Sequence, residues 1–285
     1  MINDLQDLKL EYIENILGRP YYKDERVILY NMDSLEALQK LSNGKETIDL
    51  TVTSPPYNIG KEYEEILPLE DYLNWSEKWM ELVYTNTKEN GSFWLNVGYI
   101  PIKNKGKAVP LPYLLWDKNK FFMIQELVWN YGAGVAARKS LSPRNEKILW
   151  YVKNQNDYTF NLDSIRDPNV KYPNQKKNGK IRVNPLGKNP SDVWQIPKVT
   201  SGRNRSSKER VNHPAQTPIE LFKRIILASS NKDELILDPF IGSGTTAVIA
   251  KELDRYCLGF DLNEEYLKIA IERIKKEKVE QLCLF

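Results

Sequence analysis

The sequence is poor in the residues that most metal and disulfide chemistry requires. Its 285 residues include two cysteines, Cys257 and Cys283, and a single histidine, His213. Two distant cysteines cannot build a disulfide framework or a zinc cluster, and one histidine rules out a multi-histidine metal site, so no metal is expected. A Ser–His–Asp hydrolase would have to recruit His213. No apolar run approaches the roughly 18–20 residues of a membrane helix. The stretch from Met1 to Pro20 is acidic and amphipathic and lacks the basic flank and apolar run of a signal peptide, so a cytoplasmic, soluble protein is expected. Internal repeats are also lacking. At 41% hydrophobic and 28% charged residues, the chain can bury a core, which excludes global disorder. Its length suits one large α/β domain or a domain with a substantial insert.

Neither sign of charge dominates overall, since 41 Lys+Arg face 38 Asp+Glu for a net +3. Between Lys171 and Arg210, however, eleven basic residues face only Asp192 and Glu209, a balance of +9 that leaves −6 for the rest. A basic block in an acidic body suggests a docking surface for a polyanion. A solvated loop has the same composition.

Periodicity predicts strands at Arg26–Tyr30, Ile48–Thr53, Gly91–Val97, Phe122–Trp129 and Lys147–Val152, with helices at Ser34–Leu41 and Asp71–Val83. From about Asn154 to Asn212 helical periodicity is lost, and Pro, Asn, Lys, Arg and Ser dominate, which reads as an irregular insert. Order returns at Thr217-Pro218, where Thr217 can cap a helix that runs to about Ala228. Strand Glu234–Leu237, helix Thr245–Leu253, strand Cys257–Phe260 and helix Glu264–Lys278 follow. Alternation of this kind implies a largely parallel sheet covered on both faces.

Two motifs stand at strand ends. In Asp238-Pro239-Phe240-Ile241-Gly242-Ser243-Gly244-Thr245-Thr246, the glycines allow a ligand to approach the backbone and the following helix offers free N–H donors. No Gly-Lys-Ser/Thr follows, so it is not a P-loop. Gly242, Gly244 and Ala247, with Asp261 seventeen residues beyond Gly244, fit a loose dinucleotide fingerprint; a glycine turn made for tight packing is the plainer alternative. The second motif is Thr53-Ser54-Pro55-Pro56-Tyr57-Asn58. Consecutive prolines have fixed φ and no N–H, so they present rigid carbonyl acceptors. Ser54 adds a side-chain acceptor and Tyr57 a flat face, the groups a primary amine on an aromatic base requires. Taken alone, Ser-Pro-Pro-Tyr is also an ordinary turn.

Together the motifs resemble the exocyclic-amino DNA methyltransferases, which make N4-methylcytosine or N6-methyladenine with S-adenosyl-L-methionine. That family pairs (Ser/Asp/Asn)-Pro-Pro-(Tyr/Phe) with Asp-Pro-Phe-x-Gly-Ser-Gly-Thr. His213-Pro214-Ala215-Gln216-Thr217-Pro218 is similar to the family's flank before the cofactor loop. The catalytic motif comes first and the basic insert lies between the motifs, an order that resembles the β group. The resemblance covers roughly Val27–Ile274 and implies an α/β, Rossmann-like methyltransferase fold. A mostly parallel central sheet would be flanked by helices and joined by an irregular target-recognition insert. It divides the chain into a catalytic half (21–153), the basic insert (154–212) and a cofactor-binding half (213–278).

The resemblance also implies residue roles. Ser54, Pro55, Pro56 and Tyr57 would be catalytic. Asp238, Pro239, Phe240, Gly242, Ser243, Gly244 and Thr245 would line the methionine side of the cofactor, with Gln216 and Thr217 near its carboxylate. Asp261 would hold the ribose, Leu262 would pack on the adenine, and Asp33 would accept from the adenine amino group; an ordinary helix N-cap at Asp33 or Ser34 is the alternative. His213 is expected to anchor its turn, and Cys257 to be a core thiol. Double-stranded DNA would be the partner, its target base flipped out. Contacts are expected from Arg138, Lys139 and Arg144, and from the cluster Arg203, Arg205, Lys208 and Arg210. Ser54 in place of Asp leans toward cytosine N4 over adenine N6. A companion restriction endonuclease would supply the cellular context, and dimers are common in the β group. A nicotinamide-dependent dehydrogenase explains the glycines and Asp261 but not Ser54–Tyr57 or the insert. A methyltransferase acting on RNA or a protein amide more commonly carries Asn at the place of Ser54, and a non-enzymatic DNA-binding protein explains only the insert.

Overall fold

The computed structural model describes residues 4–61, 65–132, 134, 136–200 and 207–276. Helix α1 (Asp4–Leu17) precedes β1 (Tyr22–Lys23), β2 (Val27–Tyr30), α2 (Ser34–Leu41) and β3 (Ile48–Thr53). Helix α3 (Leu69–Asn86) leads into β4 (Thr87–Val97), a hairpin of β5 (Tyr99–Ile102) and β6 (Gly106–Pro110), and the short α4 (Pro112–Leu115). Next come β7 (Phe122–Asn130), β8 (Asn145–Val152), a 3-10 turn at Leu162–Ile165, β9 (Lys176–Lys177), β10 (Lys180–Ile181) and β11 (Val193–Gln195). The chain continues through α5 (Ile219–Ser229), β12 (Leu235–Asp238), α6 (Thr245–Glu252), β13 (Tyr256–Phe260) and α7 (Glu264–Lys275).

Nine strands form one sheet in the order β1-β2-β13-β12-β3-β4-β8-β7-β11. The run from β2 to β4 is parallel throughout, whereas β8 is antiparallel to both β4 and β7. Strand residues alternate between two cores, as the period of two requires. Ile28, Tyr30, Leu235, Leu237, Tyr256 and Leu258 pack with α1, α2 and α3 on one face. Val27, Leu29, Leu50, Val52, Ile236 and Cys257 pack with α5, α6 and α7 on the other. Cys257 is a fully buried core thiol.

Three sequence readings change. The segment expected to be irregular contributes β11, which pairs in parallel with β7 and buries Trp194; at three residues the strand is too short for periodicity to reveal. Thr217 does not cap α5. Pro218 occupies that position without a side-chain bond, and Glu209 Oε1 instead accepts the Ile219 N–H at 2.8 Å. Finally, α7 ends at Lys275 rather than Lys278.

Candidate active site

Parallel strands bring their carboxyl ends to one edge, where open α/β sheets bind ligands. At that edge β2 leads to Asp33, β13 to Asp261, β12 runs into the glycine loop, and β3 ends at Thr53, directly before Ser54. Because β8 runs antiparallel, its start rather than its end lies there. Val97 pairs with Lys147 and Trp129 with Glu146, which places Glu146 beside Ser54 and Tyr57.

Two cavities meet at this edge. The larger, about 590 Å³, is lined by Asp33, Ser54, Pro56, Thr217, Asp238, Pro239, Phe240, Gly242, Ser243, Thr245, Asp261 and Leu262, together with Trp75, His213 and Tyr266. The smaller, about 60 Å³, is lined by Ser54, Pro55, Tyr57, Lys61, Asn96, Trp129, Glu146, Lys198, Gln216 and Thr217. Ser54, Ala215 and Thr217 line both and form the seam between them.

Asp238 is fully buried at the end of β12. Its Oδ1 accepts from the Thr53 hydroxyl at 2.7 Å and the Phe240 N–H at 3.2 Å, and its Oδ2 from the Thr246 hydroxyl at 2.6 Å. The carboxylate thus ties the end of β3 to the start of the glycine loop. Burial pushes its pKa up to about 6 against the pull of these donors. Asp261 accepts the Gly242 N–H on one oxygen and the Asn263 N–H on the other, each oxygen keeping a further lone pair. Burial raises its pKa as well.

The loop is shaped by close approaches. At Gly242 (φ +46°) a Cβ would meet His213 Nε2 at 3.0 Å, and at Gly244 (φ +75°) it would meet Ala270 Cβ at 2.6 Å. Gly244 caps α6 and does not line the larger cavity. Phe240 holds the loop onto α3, its ring 5.5 Å from Trp75 and 5.2 Å from Trp79. Arg273, which periodicity marks only as a helix residue, reaches from α7. It donates to the Ser243 carbonyl at 2.7 Å, the Ser243 hydroxyl at 3.1 Å and the Thr245 hydroxyl at 3.0 Å. Burial lowers its pKa to about 10, so it stays charged at neutral pH.

His213 accepts the Ala215 N–H on Nδ1 at 3.3 Å and packs edge-on against Tyr266. Burial, helped by Lys61 and Arg273, lowers its pKa to about 4, so the ring is neutral. Asp33 both caps α2, accepting the Glu36 N–H at 3.1 Å, and lines the larger cavity. Leu262 is 71% exposed at the rim of that cavity. Gln216 departs from its expected place. Its amide is spent on the Glu209 carbonyl and the Val211 N–H, and it lines the smaller cavity, not the larger.

Sequence reasoning missed the floor of the smaller cavity. Tyr57 Oη lies 2.8 Å from Ser54 Oγ, 3.2 Å from the Asn96 carbonyl and 3.1 Å from Glu146 Oε2. Glu146 Oε1 accepts from Lys198 Nζ at 2.5 Å, and Lys198 lies over the rings of Tyr131 and Trp129. Arg138, Lys139 and Arg144 fall in the β7–β8 connection, the first two exposed. Lys208 and Arg210 are exposed just before the His213 turn, whereas Arg203 and Arg205 lie outside the described residues. Among the described residues no group of His, Cys, Asp and Glu could hold a metal ion, and no helix is long and apolar enough to cross a membrane.

A parallel sheet with an antiparallel β8, a glycine loop at one strand end and Ser-Pro-Pro-Tyr at the next define a Rossmann-like methyltransferase. The fold of the PvuII DNA methyltransferase, a cytosine-N4-specific enzyme, matches with a TM-score of 0.73 at 20% identity, covering 93% of this chain and 92% of that one. The M1.HpyAVI complex with S-adenosylmethionine matches with a TM-score of 0.60 at 21% identity, covering 87% and 99%. The DNA methylase profile for N6 and N4 enzymes matches residues 48–272, and the chain belongs to that family. Its sequence is 60% identical over 271 residues to the type II methyltransferase M.ScaI of Streptomyces caespitosus, covering 95% of this chain and 88% of that protein. It is 33% identical over 263 residues to the DNA adenine methyltransferase YhdJ of Escherichia coli K12, covering 89% and 84%. The protein is therefore a site-specific DNA methyltransferase, with S-adenosyl-L-methionine as methyl donor.

The larger cavity fits that donor chemically. Asp33 and Asp261 supply acceptors for amino and hydroxyl groups, Thr217, Ser243 and Thr245 supply hydroxyls, and Gly242 leaves space that a Cβ would fill.

Proposed function

We propose that the protein methylates N4 of cytosine within a specific double-stranded DNA sequence. The observation that carries this reading is the position of Ser54 on the seam between the two cavities, where one side chain can meet both the methyl donor and the base. The narrow smaller cavity suits a one-ring base, and Ser-Pro-Pro-Tyr leans the same way within the family.

In the larger cavity S-adenosyl-L-methionine supplies an electrophilic sulfonium methyl. Asp261 would accept from the ribose, Asp33 would accept from the adenine amino group, and Leu262 would pack on the adenine. Asp238, Pro239, Phe240, Gly242 and Gly244 would shape the methionine end, and Thr217, Ser243 and Thr245 would hold its carboxylate. The target base leaves the stack, because its amino group is unreachable inside a duplex. Ser54 and the Pro55 carbonyl accept the amino hydrogens, Pro56 keeps the turn rigid, and Tyr57 bounds the base. Catalysis is then chiefly positioning and electrostatics.

DNA would cross the cavity mouth, with Arg138, Lys139, Arg144, Lys208 and Arg210 on phosphates and the exposed hairpin β9–β10 beside them. A restriction–modification pair is the proposed context, with a companion restriction endonuclease, a cytoplasmic site of action and a homodimer.

The test is incubation with S-adenosyl-L-methionine and unmethylated genomic DNA, followed by nucleoside mass spectrometry. N4-methylcytosine is expected. N6-methyladenine, the product class named for YhdJ, would replace the base assignment and keep the class. Tyr57→Ala should bind the cofactor yet transfer no methyl group, and full activity would remove Tyr57 from the site.

A further inference from the structure

Methyl transfer as described above makes no use of the charged pair on the floor of the smaller cavity. Ser54 Oγ, Tyr57 Oη, Glu146 Oε2 and, through Glu146 Oε1, Lys198 Nζ form one chain with steps of 2.8, 3.1 and 2.5 Å. Its polarity follows from what each group can do. An ammonium only donates and a carboxylate only accepts, while each hydroxyl has one proton to give. Tyr57 can give its proton to Glu146, to the Asn96 carbonyl or to Ser54. The bond to the carboxylate is charge-assisted and the strongest of the three. Tyr57 Oη then accepts from Ser54, which turns the Ser54 hydrogen toward Tyr57 and leaves its lone pairs for the seam between the cavities.

A lone serine hydroxyl is ambivalent, able to donate or accept, whereas an aspartate in its place would be an acceptor without help. We infer that Glu146, held by Lys198, is a positioning residue that makes Ser54 an acceptor for the exocyclic amino group, and that the same chain removes the proton this group loses. The inference rests on the methyl-transfer reading above. The amino nitrogen forms the new N–C bond with its lone pair, and the donor's S–C bond breaks with its electron pair left on sulfur. The nitrogen then sheds one proton to Ser54 Oγ, Ser54 passes its own proton to Tyr57 Oη, and Tyr57 passes its own to Glu146 Oε2. Glu146 ends neutral and returns the proton to water, to which its side chain is 13% exposed. Gly98 leaves the room this arrangement needs, since a Cβ there would lie 3.2 Å from Tyr57 Cε2 and 3.4 Å from Glu146 Cγ.

The test is Glu146→Gln, which keeps the volume and removes the charge. The expected result is a fall in kcat on the order of 10²-fold with little change in KM. Cofactor affinity by calorimetry should be unchanged, because Glu146 does not line the larger cavity. In ¹³Cζ-tyrosine NMR the Tyr57 resonance, assigned by its loss in Tyr57→Phe, should move. In a Ser54→Asp background, where the acceptor is built in, Glu146→Gln should cost less than about tenfold. Wild-type kcat with an unmoved Tyr57 resonance overturns the inference, as does an equal cost in both backgrounds. A loss of kcat together with lost cofactor affinity and a lowered melting temperature marks a structural role and also overturns it. An unmutated protein that methylates no DNA base overturns the methyl-transfer reading itself, and this inference with it.

Discussion

Asp238 and His213 line the same cavity and are pushed in ways that oppose each other as pH changes. Burial raises the Asp238 pKa from 3.8 to about 6 and lowers that of His213 from 6.5 to about 4. A carboxyl group raised on folding contributes stability that is fully present below its unfolded pKa and is lost as pH rises through its folded pKa. Asp238 should therefore cost roughly 3 kcal/mol as pH rises from about 4 to above 6. A histidine held neutral contributes stability that is present above its unfolded pKa and is lost as pH falls through its folded pKa. In urea unfolding, the parent's advantage over Asp238→Asn should shrink as pH rises across this window, and its advantage over His213→Gln should shrink as pH falls. Parallel slopes for the two variants would contradict the assignment. Asp238 was legible as a site residue in Asp-Pro-Phe-x-Gly-Ser-Gly. Its bond to Thr53 was not, because the two are 185 positions apart and meet only through the β3–β12 pairing.

At the scale of the element, Gly244 sets how closely α6 and α7 can pack. With φ +75° and the Ala270 Cα only 2.9 Å from the place of a Cβ, Gly244→Ala combines backbone strain with a displaced helix. A loss of about 1–3 kcal/mol is expected, read as a lower urea midpoint, and an unchanged midpoint would refute the packing account. The hairpin β9–β10 is a different kind of element. Lys176, Lys177, Lys180 and Arg182 are all exposed, around a turn at Asn178 and Gly179. A two-stranded ribbon of this kind fits a major groove. Replacing the three lysines with Gln should flatten the dependence of log affinity for DNA on log salt by about 0.9 for each phosphate no longer neutralised, with cofactor affinity unchanged. A salt slope equal to the parent's would remove the hairpin from the interface. The sequence marked this region as basic but not as a ribbon, since two-residue strands carry no measurable period. Nor did it show that Glu209, one of only two acids in the basic block, caps α5.

At the scale of the whole molecule, the larger cavity, proposed above to take the cofactor, is assembled from both halves of the chain. Asp33 and Ser54 come from the first half, and Thr217, Asp238 and Asp261 from the second. Occupying it therefore bridges elements that unfolding would separate. Ligand binding to the folded state alone contributes about 2.7 kcal/mol at a concentration a hundredfold above Kd. Saturating S-adenosyl-L-methionine should raise the melting temperature by several degrees, and no shift at saturation would show that the cavity does not take it.

Local pattern alone determined the strand–helix alternation, the two motifs at strand ends and the basic block between them. Each is written within a few consecutive residues, through the period of two or 3.6, through glycine and proline, and through charge. The parallel sheet, and with it the meeting of both motifs at one edge, followed from the alternation. Only the tertiary structure decided what lies beside Ser54. β8 enters the sheet antiparallel with Lys147 opposite Val97, so Glu146, near its start, lies beside Gly98, just past the end of β4, and β11 carries the chain on to Lys198. Strand direction and neighbour depend on pairings between residues far apart in the chain, whose energies no local pattern records. The residues beside Ser54 were therefore visible only once the sheet was assembled.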